Sequence, residues 1–257
     1  MADRHLTTAP PCIELLDEIG STNDEAHRRA AAGERGPLWI ATRRQTAGKG
    51  RSGRTWSEAS IGNVAATLLF EPGCPPARLP ELSLVAGVAA HAAIAEALPA
   101  GAAPSVELKW PNDVLIGGAK TSGILIETGN FGVAVVSLIG IGINVASAPA
   151  GVDRATTCLA EQGSTLDAEA VLTLLAARMA EWLDVWRGPD GFAAIRNAWI
   201  ARAIPVGCAL EIKTNAGPVA GTFAGLDHDG ALLIDLGPDI RRRFTYGDVS
   251  VLPARQA

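Results

Sequence analysis

From Cys12 onward, short apolar runs alternate with longer stretches in which apolar residues recur every three or four positions, and this rhythm lays out the elements in order. "CIELLDEIG" (12–20) is a strand-like run closed by glycine. In "STNDEAHRRAAAG", Ser21, Thr22 and Asn23 are N-cap candidates, acids fill the first helical turn, and Gly33 marks the stop. "LWIATRRQ" (38–45) is a strand feeding a glycine-rich loop, and "NVAATLLF" (63–70) is another strand. Residues 79–99 predict an alanine-rich helix with Leu82, Val85, Ala89 and Ala93 on one stripe. Three strand-like pieces broken by turn residues follow: "VELKW", then "VLI" after "PND", then "TSGILIE" after "GG". "VAVVSLIGIGINV" (133–145) is apolar on both faces, which predicts a central strand. Helices are expected over 167–187, with Ser164 and Asp167 as a capping box, and over about 191–201.

The texture changes near Ile204. Short strands now alternate with Gly, Asp and Asn turns, the pattern of a small all-β barrel. The chain therefore divides into an α/β or α+β domain over 1–203 and a β-barrel over 204–257. No internal repeat or low-complexity linker interrupts it.

Composition narrows the function. With 257 residues, 48% hydrophobic and 19% charged, the chain can bury a real core. Its net charge of −5 gives no basic footprint for nucleic acid, so no nucleic-acid partner is expected and any anion site must be a local cluster of cations. Cys12, Cys74, Cys158 and Cys208 are far apart and read as reduced thiols; His5, His27, His91 and His228 are equally scattered. Residues 1–11 lack a targeting pattern, and no apolar stretch is expected to reach about 18 residues, so no membrane partner is expected and the location is read as cytoplasmic.

The local cluster is "AGKGRSGRTW" (47–56). Gly48, Gly50 and Gly53 spell G-x-G-x-x-G, but a dinucleotide fingerprint needs a helix next, and "RTWSEASIGN" has no helical stripe. A phosphate loop of the Walker type also fails, because Gly48-Lys49 is followed by glycine. The physics still points to an anion. Glycines let backbone N–H groups converge, Lys49 supplies a point charge, and Arg51 and Arg54 supply planar forks for phosphate or carboxylate. Three mutually repelling cations among glycines further predict a loop that is mobile until an anion binds.

"QTAGKGRSGRTW" resembles the biotin-binding loop of biotin protein ligases, the family that makes biotinyl-5′-AMP. "KWPNDV" (109–114), "GIGINV" (140–145), "STN" (21–23) and "AKTSGILIE" (119–127) are similar to the family's other motifs, and the resemblance spans residues 13 to about 254. It implies an α+β fold: a mixed-sheet catalytic domain of the biotin/lipoate ligase type followed by a small SH3-like β-barrel. It implies that Ser21, Thr22 and Asn23 bond the ureido ring of biotin, with Gln45 on the same ligand. Lys49, Gly50 and Arg51 would hold the biotin carboxylate and then the adenylate phosphate, and Arg54 and Trp56 would order against ATP. Lys120 would reach the junction where the acyl bond forms and breaks. Asp113 would place ATP and its Mg²⁺ with Asn112 beside it, and Asn144 would hold the nucleotide side. The implied substrates are biotin and ATP with Mg²⁺; the implied partner is the biotin carboxyl carrier domain of an acyl-CoA carboxylase, and the enzyme would be a monomer or homodimer. Lys49 departs from the arginine common in the family, keeping the charge but losing the fork.

Taken singly, each motif has a plainer reading. "STN" starts a helix whatever the function, and Lys109 could be the solvent-facing residue of its strand. Gly140 and Gly142 could mark tight packing, Lys120 could be a surface lysine, and Arg241–Arg243 read as a solvated strand edge. Two other functions stay open at this point: a lipoate or octanoate ligase or transferase of related fold, and a non-catalytic biotin-binding module.

Overall fold

The computed structural model describes residues 11–56, 61–101, 104–152, 154–214 and 217–252. The polar leader (1–10), the stretch 57–60 after Trp56 and the chain end lie outside them.

Strand β1 (Ile13–Ile19) runs parallel to β2 (Leu38–Gln45) because helix α1 (Thr22–Ala31) carries the chain back across the sheet between them. The remaining pairings of this sheet are antiparallel: β2 with β3 (Val64–Phe70), β3 with β7 (Ala134–Ile143), β7 with β6 (Ala119–Phe131), β6 with β5 (Asp113–Ile116), and β5 with β4 (Val106–Lys109). The sheet order is β1-β2-β3-β7-β6-β5-β4, so the strand expected to be central is the fourth of seven and is buried along most of its length. The sheet is therefore mixed, with β1–β2 its one parallel pairing among the described residues.

Helix α2 (Leu82–Ala97), entered through a 3-10 turn (Pro76–Glu81), differs from the expected one-sided stripe. Leu82, Val85, Ala89 and Ala93 are fully buried, but so are Ala86, Val88, Ala90 and Ile94 around the rest of the helix. Small residues permit this enclosure: a Cβ on Gly87 would stand 3.2 Å from the Trp199 indole nitrogen. By length and hydropathy the segment Pro76–Ala97 could cross a membrane, an apolar stretch longer than expected from the sequence. It is instead a core helix, packed on the sheet and on α3 (Ala168–Arg187) and α4 (Gly191–Ile200). Asp167 alone caps α3, accepting from the Ala170 amide at 2.8 Å. The expected capping box does not form, because the Ser164 hydroxyl donates to the Ala97 carbonyl at 2.7 Å and ties the chain to the end of α2.

Strands β8 (Ala209–Thr214), β9 (Gly217–Leu226), β10 (Leu232–Gly237), β11 (Ile240–Phe244) and β12 (Asp248–Val251) form a second, wholly antiparallel sheet in the order β11-β10-β9-β8-β12. Arg241–Arg243 lie on its edge strand, where Arg241 pairs with Asp235 and Arg243 with Asp227 and Asp229. Leu210, Ile212, Phe223 and Val249 join the same apolar core as Leu108 and Trp199. Polar ties reinforce the seam: the Trp110 indole donates to the Gly230 carbonyl at 3.2 Å, and Lys109 donates to the Val249 carbonyl at 2.7 Å.

Candidate active site

One cavity collects most of the residues singled out from the sequence. Its first wall is the start of α1. Ser21 is the N-cap, and Ser21, Thr22 and Asn23 are all buried, an unusual fate for three polar residues that a cap alone would leave at the surface. Each is therefore obliged to find partners. The Thr22 amide and hydroxyl both donate to the Gln45 side-chain oxygen, at 2.9 and 3.2 Å. Thr67 of β3, fully buried, donates to Asn23 Oδ1 at 2.6 Å and lies 2.9 Å from the Thr22 hydroxyl. Asn23 Nδ2 donates to Glu127 of β6 at 2.7 Å. These bonds fix donor and acceptor groups at one end of the cavity.

The floor is made of glycines. Gly123 on β6 and Gly142 on β7 are register partners, and Gly140 lies two residues before Gly142. A Cβ on Gly140 would stand 2.2 Å from Asn23 Oδ1, and one on Gly142 would stand 2.3 Å from the Trp56 ring. The glycines are thus required by what lies above them, which settles the tight-packing alternative in its favour.

The glycine loop lies across this floor. It folds as a flap: the Gly50 amide donates to the Arg54 carbonyl at 2.7 Å, the Trp56 amide to the Gly48 carbonyl at 2.9 Å, and a 3-10 turn (Arg51–Gly53) forms the tip. The Gly50 and Trp56 amides are consequently spent within the loop rather than aimed at an anion. The three cations are also not left to repel one another, as the sequence suggested. Lys49 pairs with Asp24 in α1, and Arg54 pairs with Asp248 at the start of β12. Among the described residues the Arg51 side chain hydrogen-bonds only the Asn112 side-chain oxygen, at 3.3 Å, and burial pulls its guanidinium below its ordinary pKa. The free space inside is about 80 Å³, whereas ligand pockets run to roughly 300–1,000 Å³. Trp56, lying over Gly142, takes up much of the space between the flap and the floor.

The other end holds a buried charge cluster. Asp113 opens β5, and its carboxylate takes Lys109 on one oxygen at 2.9 Å and Lys120 on the other. Burial alone would raise the Asp113 pKa, but the two ammonium groups outweigh it and hold the carboxyl below its ordinary range. Burial pushes the Lys120 amine below its ordinary value against the pull of Asp113. Lys120 is therefore no surface lysine. Its ammonium faces the cavity, 5.7 Å from the centre of the Trp56 ring.

Asp113, expected to place ATP and its Mg²⁺, has each carboxylate oxygen paired with a lysine ammonium in this structure. No group of three or more His, Cys, Asp or Glu side chains with metal-ligand geometry occurs among the described residues. The wall does not include Asn144 either. That side chain is buried outside the cavity and donates to the Thr157 carbonyl at 3.1 Å, pinning two loops together.

Several residues that build or support the wall escaped the sequence reading. Thr67 and Glu127, which orient Asn23, lie 44 and 104 positions from it in the chain. Asp248 lies 194 positions from Arg54, in the second sheet, and Arg154 reaches the wall from the loop after β7. Only the turn "YGDVS" hints at Asp248, and nothing local marks the others.

A model described as the Biotin/lipoate A/B protein ligase family matches residues 18–144, and one described as the Biotin protein ligase C terminal domain matches residues 209–252. A biotin–[acetyl-CoA-carboxylase] ligase from Paracoccus denitrificans is 39% identical over 230 residues, covering 86% of this chain and 92% of that protein. The protein of the same description from Mycobacterium tuberculosis is 33% identical, covering 88% and 84%. Among solved structures, biotin protein ligase from Aquifex aeolicus in complex with biotin and ATP superposes with a TM-score of 0.78 at 27% identity, covering 94% of this chain and 98% of that one.

Proposed function

The chain belongs to the biotin/lipoate A/B protein ligase family, and from that premise we propose which of its residues carry the reaction. The activity is the ATP-dependent ligation of biotin to a carrier protein. The biotin carboxylate attacks the α-phosphorus of ATP, pyrophosphate leaves, and biotinyl-5′-AMP forms. A lysine amine of a biotin carboxyl carrier domain then attacks the activated carbonyl, and AMP leaves. The carrier in question is that of an acyl-CoA carboxylase.

The observation that carries the assignment of residues is the polarity of the cavity, with fixed uncharged donors and acceptors at one end and cations at the other. A ureido ring offers two N–H donors and a carbonyl. Ser21, Thr22, Asn23 and Gln45, held by Thr67 and Glu127, provide groups of matching character without a net charge. The valeryl chain lies over Gly140, Gly142 and Gly123, where only a flat floor leaves room. Its carboxylate then reaches Lys120 and Arg51, with Lys49 and Gly50 of the flap above it and Arg54, Trp56 and Asn112 on the nucleotide side. A linear lipoyl or octanoyl acid has no use for the uncharged polar end, and burying that end unpaired would oppose its binding.

The cations stabilise charge developing on the phosphate oxygens, and the flap excludes water from a mixed anhydride that would otherwise hydrolyse. No side-chain nucleophile is needed. Mg²⁺ is the usual companion of ATP phosphates, and Asp113 would hold it through the oxygen that Lys120 vacates. The test is pyrophosphate exchange into ATP, run with biotin, lipoate and octanoate in parallel. Exchange with biotin alone is expected; exchange with lipoate or octanoate, or biotin binding without exchange, would overturn the assignment.

A further inference from the structure

Two lysines on one buried carboxylate are one more than neutrality needs. Lys109 and Asp113 are the cross-strand partners that close the β4–β5 hairpin, and both side chains are nearly out of solvent. Lys109 does not reach the cavity wall, whereas Lys120 does. Instead Lys109 lines an adjoining cleft that shares Asp113 and Lys120 with the cavity, and it is held between Asp113 Oδ2 at 2.9 Å and the Val249 carbonyl of β12 at 2.7 Å. The cluster is thus asymmetric: one ammonium is fixed between two acceptors, and the other is poised at the cavity. Without Lys109, moving Lys120 toward a ligand would strand Asp113 as an uncompensated buried charge. With Lys109 in place, Asp113 stays neutralised and Lys120 can leave it.

We propose that Lys109 is a positioning residue for ligation: by holding the far oxygen of Asp113, it frees Lys120 to pass its charge to the biotin carboxylate and then to the adenylate phosphate. The inference rests on the reading of the cavity given above. It differs from a purely structural role, in which Lys109 only ties the hairpin to β12 through the Val249 carbonyl. The two roles separate because the first acts through the charge on Asp113 and the second does not.

The experiment compares wild type, Lys109→Met, Asp113→Asn and the double variant, with biotin affinity from calorimetry, adenylate formation from pyrophosphate exchange, and thermal unfolding on each. Lys109→Met is expected to weaken biotin binding and slow exchange by about 10- to 100-fold, since Lys120 is then committed to Asp113. Adding Asp113→Asn removes the charge that traps Lys120, so the double variant should bind biotin at least about fivefold more tightly than Lys109→Met. A double variant no better than Lys109→Met, or a Lys109→Met protein with wild-type affinity and exchange, would overturn the inference. Should Lys109→Met fail to fold, Asp113→Asn against the double variant decides. A difference within about threefold is expected, and a loss of 10-fold or more would mean that Lys109 works only through Val249. Wild type exchanging with biotin while Lys109→Met is unaffected would sink this inference alone; wild type failing to exchange would sink the reading beneath it.

Discussion

Arg51 differs from the other cations of the flap in having no carboxylate within ion-pair distance among the described residues. It is half-buried against an amide oxygen, so its charge is available to a ligand at little cost in broken pairs. Arg51→Ala should lower adenylate formation by roughly 30- to 1,000-fold, about 2–4 kcal/mol, with unfolding unchanged; near-normal exchange would remove Arg51 from the reaction. The floor makes an equally local prediction. Gly140→Ala puts a methyl group into the space of Asn23 Oδ1, and overpacking of this kind costs about 1–3 kcal/mol. Because the clashing atom belongs to the polar clamp, the loss should fall mainly on biotin affinity. A variant that unfolds earlier but binds biotin normally would place the strain elsewhere.

At the scale of elements, α2 carries a pH dependence. His91 is mostly buried on that helix, and its Nε2 lies 3.0 Å from the Val106 carbonyl of β4, so Nε2 bears the proton while Nδ1, also buried, has no partner. Burial lowers its pKa in the fold below the ordinary 6.5. The unfolded chain then binds the proton more readily, so this contribution to stability is full above about pH 6.5 and is lost as the pH falls through the folded pKa. Thermal unfolding should therefore weaken between pH 7 and pH 5.5, and His91→Leu should flatten that slope; an unchanged slope would assign the effect to other groups. The flap is the second such element. Its pairs with Asp24 and Asp248 hold it across the cavity, so Asp248→Ala should speed hydrogen exchange at residues 47–56. Biotin with ATP should slow exchange there and hardly elsewhere. If Asp248→Ala leaves exchange unaltered, the pair is a surface contact without consequence.

Across the whole molecule, what the sequence made legible is what periodicity and local spacing can encode. The strand runs fall where alternation and turn residues placed them, and the clustered motifs at 21–23, 45–56, 112–113 and 120 are brought to one cavity by the sheet. Long-range pairings were not legible. Nothing near Arg54 announces Asp248, and a lysine on a four-residue strand does not reveal that it will share a carboxylate with another lysine. The near-complete enclosure of α2 between Leu84 and Ala90 was hidden for a similar reason, since alanine suits both an exposed and a buried helix face.

The placement of Trp56 has an optical consequence. Of the six tryptophans, Trp39, Trp110, Trp186 and Trp199 are buried in the core and Trp182 packs beside it, so their surroundings change little when a ligand enters. Trp56 lies over bare glycine beside a lysine ammonium, in the space the proposed ligand would take. The protein therefore contains its own fluorescent reporter. Its emission should shift when biotin binds and shift again when the adenylate forms, and Trp56→Phe should silence both signals while the bulk of the emission remains.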